Sequence, residues 1–310
     1  MRRLLPYIAV LLSMLIWSAS GIAVKEALVA LSPMTMIVIR FTLAVLLMLV
    51  VGLCARKSEM FRLQKVDKKD LPLFILGGIF QPFLYYILET FSYDALSSPT
   101  IAEALLSTSP VLAPFFAAAI LREHVTRYNI LGIIVSTVGM LLLVLVGASD
   151  FSIGNPWGIA CAFAAVSAAV LYTIVLRRIP PRYNPLTVVF YVQLSALVLF
   201  YPLCGFTDGV SGFAHLAEAD TMQLWRSLAA VGYLALGASV VAFICFCYTV
   251  RVIGVTRTNA FNNVRPAFTA IWMLLFFGEQ LPWAKWLGIL LIIIGLFVCQ
   301  RHIPEPKHNV

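Results

Sequence analysis

The sequence predicts an all-α membrane protein of ten transmembrane helices, arranged as two inverted five-helix repeats. Three observations lead there. The 310 residues are 61% hydrophobic and only 12% charged, with a mean hydropathy of +0.95; soluble domains carry about 25% charged residues. Lys and Arg gather on alternate connections between apolar runs. Finally, the chain registers on itself when shifted by 156 positions.

A bilayer-crossing helix needs roughly 20 apolar residues. Ten runs qualify, near residues 6–28, 33–55, 71–92, 97–121, 127–147, 154–177, 184–205, 223–250, 256–277 and 283–301. The connections are short. The longest are RKSEMFRLQKVDKKD (56–70) and the stretch around TDGVSGFAHLAEAD (207–220), and no segment reads as a soluble domain. Arg2 and Arg3, an apolar run and SASG together resemble a secretory leader. The run exceeds a usual leader core, and its removal would orphan a repeat partner, so the segment is expected to be retained.

Orientation follows from the basic residues. With the N-terminus in the cytoplasm, seventeen of the 22 Lys and Arg fall inside. Lys25, Arg226 and Lys285 fall outside, and Arg40 and Arg265 lie within helices. Both termini are therefore expected in the cytoplasm of a plasma membrane, of the bacterial inner-membrane kind. The net charge of +8 is explained by these loops, with no nucleic-acid partner implied. The six cysteines sit in or beside apolar runs and outline neither a disulfide framework nor a zinc site.

The self-similarity is specific. Thr100 meets Thr256, Ala104 meets Ala260, Pro110 meets Pro266 and Glu123 meets Glu279. LGI at 131–133 meets LGI at 287–289, and Gly139 meets Gly295; upstream, SPMT (32–35) faces NPLT (184–187). The expected units are 1–148, 149–303 and a short tail, 304–310. Five is odd, so the second copy enters the membrane upside down, an arrangement typical of secondary transporters.

SMLIWSASGIAVK, SPMTMIVIRF, ALSSPTIAEALLSTSPVLAPFFAAAILREHVT and GIIVSTVGMLLLV in the first half are matched by RVIGVTRTNAFNNVRPAFTAIWMLLFFGEQL and LGILLIIIGLFV in the second. In these the chain resembles the EamA-type transporters of the drug/metabolite transporter superfamily, over nearly its whole length. The resemblance implies a helical bundle around a central cavity and transport of small metabolites. Glu103 departs from the small or weakly polar residue of that pattern.

Charged groups deep in a bilayer cost about 2.5–3.5 kcal/mol on insertion scales and are functional candidates by default. Here they are Arg40, Glu89, Glu103 and Arg265. Arg40, Glu89 and Glu103 are expected at similar depth in the outer half, as an ion pair that fixes packing, as a substrate or proton site, or as interfacial snorkelling. Gln81, Tyr85 and Glu89, continued by Ser92, are spaced to share one helix face. That face is expected to look into a cavity, the alternative being interhelical packing. Asn259 and Asn263 share a face one turn before Pro266, and Glu103 and Ser107 precede Pro110 in the same way. Helices four and nine are thus expected to line one cavity from opposite ends; the other reading is proline-kinked packing. Trp17 and Ser20 either line that cavity or pack aromatic against small residues. Glu123 and Glu279 are expected to cap the helices that follow them.

No catalytic constellation appears. The four histidines lie in loops or the tail, and no cofactor or metal is implied. The expectation is a secondary transporter exporting a small organic metabolite by alternating access, with amino acids one option. The alternatives are a lipid or drug exporter, then a membrane-embedded enzyme or a non-transporting scaffold.

Overall fold

The computed structural model describes residues 4–55, 57–59, 61–96, 105–146, 155–208, 220–277 and 282–300. Glu103 and Glu279 lie outside these, as do the expectations resting on them. Among the described residues every regular element is helical. In chain order, α1 (Leu5–Ala27) and α2 (Pro33–Cys54) are continuous. The third unit runs through α3 (Leu71–Gly78), a π turn (Ile79–Leu84) and α4 (Tyr85–Ala95). Then come α5 (Ser109–Leu121), α6 (Arg127–Leu145), α7 (Pro156–Arg178) and α8 (Pro185–Thr207). A long unit joins α9 (Thr221–Tyr233), a second π turn (Leu234–Val241) and α10 (Ala242–Ile253). Next, α11 (Val255–Ala260), a 3-10 turn (Phe261–Val264) and α12 (Arg265–Phe277) precede α13 (Trp283–Gln300).

Among the described residues, seven helices are long and apolar enough to cross a membrane, against ten expected. The described part of the fourth run carries the 13-residue helix α5, and α6 adds a further apolar helix over Arg127–Leu142. The ninth run is divided by its 3-10 turn. Pro266 there lacks an N–H, and its ring crowds the carbonyl of Asn262, so the preceding turn winds tighter.

The 156-residue register reappears in three dimensions. The bounds of α5 and α12 coincide under it, and α6 and α13 begin at equivalent positions. The first π turn maps inside the second. At the crossing of α6 and α13 the backbones nearly touch. A Cβ on Gly132 would stand 2.4 Å from the Gly295 carbonyl oxygen, and one on Gly139 would stand 2.6 Å from that of Gly288. Position numbers rise along one helix as they fall along the other, so these repeat mates run antiparallel. Small residues permit that approach in a setting where lipid supplies little drive for helix association.

Each end of the fold is tied by helix caps. Ser32 caps α2, with Pro33 at its first position. Asp208, at the end of α8, accepts hydrogen bonds from the Ser32 hydroxyl and from the Thr35 N–H at 3.1 Å. Burial opposes its charge, but these bonds outweigh it and hold its carboxyl below the usual value. At the opposite end Asn184 caps α8, its Oδ1 accepting from the Thr187 N–H at 2.8 Å. Its side-chain amide donates to the carbonyls of Glu59 and Arg62, and its own N–H donates to Gln64.

Arg182 adds a clamp there, donating to Asp67 at 2.8 Å and to Asp70, while the Tyr183 hydroxyl donates to Asp70 at 2.8 Å. The Tyr183 bond chiefly, with Arg182 adding to it against the opposing effect of burial, holds the Asp70 carboxyl below its usual value. A depressed carboxylate stabilises the fold above its unfolded value, near 4, and loses that contribution as pH falls through the lowered value. Asp70→Asn is therefore expected to lower the melting temperature at pH 7. The gap to wild type should close as the solution is acidified through that range; a gap independent of pH would contradict the clamp.

Glu123 caps a helix, but not the one that follows. Its carboxylate accepts from the N–H groups of Val255 at 3.2 Å and Thr256 at 3.3 Å, at the start of α11 in the other half. Gly254 makes room for it: φ there is +91°, and a Cβ would stand 2.8 Å from Glu123 Oε1. The cap of α6 is Thr126, in a reciprocal pair with Asn129.

Candidate functional site

The second π turn organises the interior. Its wide winding leaves carbonyls out of step with the α pattern, and side chains from elsewhere satisfy them. Trp17 Nε1 donates to the Ala238 carbonyl at 3.0 Å, and Ser13 Oγ to that of Ala242 at 2.9 Å. The Gln193 side-chain amide donates to the carbonyl of Ser239. Trp17 also packs on Phe243 and Phe246, with centroids 5.2 and 5.1 Å away. These contacts fix α1 against the second π turn and α10.

Arg40 is 3% exposed. Its Nε donates to the Ser239 hydroxyl at 2.7 Å, and its guanidinium carbon lies 5.2 and 5.3 Å from the ring centroids of Phe41 and Tyr86. Such cation–π contacts contribute about 0.5–2 kcal/mol. Among the described residues no carboxylate comes within ion-pair distance of Arg40. Tyr86 in turn feels the charges of Arg40, Glu89 and Arg265.

The face expected to carry Gln81, Tyr85, Glu89 and Ser92 is only partly there. The Tyr85 hydroxyl donates to Glu89 Oε1 at 2.9 Å, as the i, i+4 spacing requires. Gln81 is out of line, in an extended backbone conformation with φ −150° and ψ 123°. A residue before proline is pushed out of the helical region, and Pro82 follows. Ser92 is buried, with no hydrogen-bond partner for its hydroxyl among the described residues.

Asn259 and Asn263 are buried. The Asn259 side-chain amide donates to Thr173 at 3.2 Å and to the Val255 carbonyl at 3.0 Å. That of Asn263 donates to the hydroxyls of Ser136 at 2.8 Å and Thr137 at 3.2 Å. Asn262 reaches Ser109 at 3.1 Å, the repeat equivalent of Arg265. The amides of Asn262 and Asn263 bridge the halves, and that of Asn259 stays within the second. Ser20 is half-buried, its hydroxyl turned back to the Ile16 carbonyl at 3.3 Å, and Ser107 is half-buried in the turn before α5.

Ser239, Gln193 and Tyr86 are not among the residues that the sequence pattern singles out. A signal existed for two of them. Gln193 is the one amide in the α8 run, and Ser239 interrupts LALGASVVAFICF. What the linear pattern lacked was the π turn that brings them to Arg40.

Comparison with known proteins agrees with this architecture. An uncharacterized transporter from Archaeoglobus fulgidus is 22% identical over 295 residues, covering 95% of this chain and 98% of its own. A probable terminal-alkyne amino-acid exporter from Streptantibioticus cattleyicolor is 25% identical, covering 75% and 74%. A transporter of S-adenosylmethionine and S-adenosylhomocysteine from Chlamydia trachomatis serovar D is 24% identical, covering 92% and 86%. A crystal structure at 20% identity superposes with a TM-score of 0.75 over 94% of this chain and 97% of that one, which establishes the shared fold. The EamA-like transporter family matches residues 4–145 and again 156–300. With seven helices of spanning length among the described residues and that family matched once in each half, the chain is a multi-span membrane transporter and belongs to the EamA-like transporter family.

Proposed function

We propose that the protein is a secondary transporter that exports a small organic metabolite by alternating access, the two halves rocking around a polar centre between them. One observation carries the reading: the antiparallel crossing of α6 and α13, in which each half contributes an equivalent pair of glycines. Two halves so related can exchange conformations, which opens a central site to one side and then the other. The full reading has ten transmembrane segments as two inverted repeats, 1–148 and 149–303, with a tail at 304–310 and both termini cytoplasmic in a bacterial plasma membrane. The relatives named for amino-acid export and for S-adenosylmethionine transport support a soluble metabolite as substrate over a lipid. The substrate contacts of this reading are Trp17, Ser20, Gln81, Tyr85, Glu103, Ser107, Asn259 and Asn263.

Two measurements test it. Single cysteines at Arg62 and Arg127 are expected to react only with reagent reaching the cytoplasmic side, and cysteines at Asp150 and Gly212 only with reagent outside. An external label at position 62 would overturn the orientation. Purified protein reconstituted in vesicles is expected to exchange at least one member of a metabolite library selected by thermal stabilisation, since a ligand of the folded state raises its apparent stability. Failure to move any stabilising ligand would overturn the transport reading.

A further inference from the structure

The inference rests on the transport reading above and concerns what holds one side of the transporter shut. Among the described residues two have a positive φ, Arg122 at 53° and Gly254 at 91°. They belong to different halves, and they flank one contact. Arg122 ends α5 in the left-handed region, where a side chain is strained; its N–H and that of Glu123 both donate to the Ala117 carbonyl. After this turn the next side chain, Glu123, reaches the other half. Gly254 turns the chain between α10 and α11 and leaves the space that the Glu123 carboxylate fills, since a Cβ there would stand 2.8 Å from Oε1. Two positive-φ turns thus serve one carboxylate and two N–H groups, those of Val255 and Thr256 at 3.2 and 3.3 Å.

Other groups of the second half grip the same place. Arg178, at the end of α7, donates to the Ile120 carbonyl at 2.9 Å, in the last turn of α5. Arg251 donates to the carbonyls of Tyr183 and Pro180, and Arg177 to that of Arg251, so the ends of α7 and α10 are bound into one platform. Beside it α11 packs on α5. The polar side chains of the ninth run come next inward. Thr258 and Asn259 are buried, and Asn262 reaches Ser109, at the start of α5, at 3.1 Å. The cap therefore lies between those groups and the end of the fold that carries residues 178–184. The sequence holds no second copy of it. Under the 156-residue register Glu279 matches Glu123, but Ser98 and Pro99 take the places of Gly254 and Val255. Serine brings a Cβ, and proline has no N–H to give.

We propose that Glu123 is the latch of one gate: its bonds to the start of α11 hold the two halves together at the end that the orientation above places in the cytoplasm, they break when that end opens, and the transporter without solute rests with this gate closed.

The test uses the full chain, purified in detergent without solute, and reads the rate at which N-ethylmaleimide labels a single cysteine. The reporter is Thr258→Cys, at a fully buried position one turn inward of Gly254, in a chain whose six native cysteines are replaced by alanine. The control chain keeps Cys161 alone, a buried thiol near the start of α7, at the opposite end of the fold. Labelling at position 258 is expected to be slow in the parent chain. It should be at least about tenfold faster in Glu123→Ala, the factor for a lost hydrogen bond to a charged group. Val255→Pro should act alike, because it removes one donor of the latch at a first helical position, which tolerates proline. This second variant decides the matter where Glu123→Ala does not fold. Cys161 should label at the parent rate in both variants, since opening one gate leaves the far end packed. Fast labelling of position 258 in the parent, an unchanged rate in either folded variant, or an equal rise at Cys161, the mark of general loosening, would each overturn the proposal. The labelling needs no solute, so those outcomes leave the transport reading standing; a vesicle assay that moves no solute would overturn that reading instead.

Discussion

Gly295→Leu is expected to abolish the folded protein. A Cβ at this position would stand 2.4 Å from the backbone nitrogen of Ser136 and 2.6 Å from the Gly132 carbonyl oxygen. Backbone atoms in the middle of two helices cannot step aside as a flexible side chain can, so α6 and α13 would have to separate. The cost should exceed the ~1–3 kcal/mol typical of overpacking a core with extra methylenes. Gly132→Leu is expected to behave alike, since its Cβ would stand 2.3 Å from the Cys299 nitrogen. Gly205→Leu is the control, because a Cβ there meets nothing within 4 Å. Fluorescence size-exclusion of the expressed variants reads the outcome. A monodisperse Gly295→Leu peak that melts like wild type would show that the crossing does not hold the halves together.

Glu89→Gln is expected to uncouple transport from a pH gradient while sparing exchange. Glutamine keeps the shape of glutamate and an oxygen that can accept from the Tyr85 hydroxyl, now 2.9 Å from Glu89 Oε1. It cannot take up or release a proton. In vesicles, gradient-driven accumulation should fall at least about tenfold while exchange at equal pH stays within about twofold, the signature of a lost proton site in a binding site left intact. Glu103→Gln is the second variant, because that residue shares the expected depth of Glu89. Arg40 and Arg265, which act on the same Tyr86 phenol as Glu89, are the cations expected to tune it. Gradient response like wild type in both variants would remove proton coupling and favour a uniporter or another ion.

Much of this architecture is legible in the sequence because lipid leaves few options. A spanning segment must satisfy its backbone internally, so apolar run length reports helices. The repeat is legible because Pro110 with Pro266 and Gly139 with Gly295 mark the same backbone events in each half. The site was legible where helices stayed regular. Tyr85 and Glu89 meet at the spacing a helix imposes. Gln81 fell out of line because Pro82 forces its backbone extended, and a face drawn on an ideal helix does not survive that. Asn259 and Asn263 read as cavity groups from their shared face, but the hydroxyls of Thr173, Ser136 and Thr137 that hold them lie about 90 to 130 residues away, beyond the reach of local patterning. Gln193 and Ser239 needed the π turn, a change of winding with no short sequence mark.

The glycine crossing has a consequence for movement. An operation that swaps the two halves carries Gly132 onto Gly288 and Gly139 onto Gly295, and so returns the contact to itself. In any pair of states that are mirror roles of one another, with each half adopting what the other has left, that crossing is common to both. In the proposed alternating-access cycle it would be the axle about which the two halves turn, the part whose geometry carries no information about which side is open.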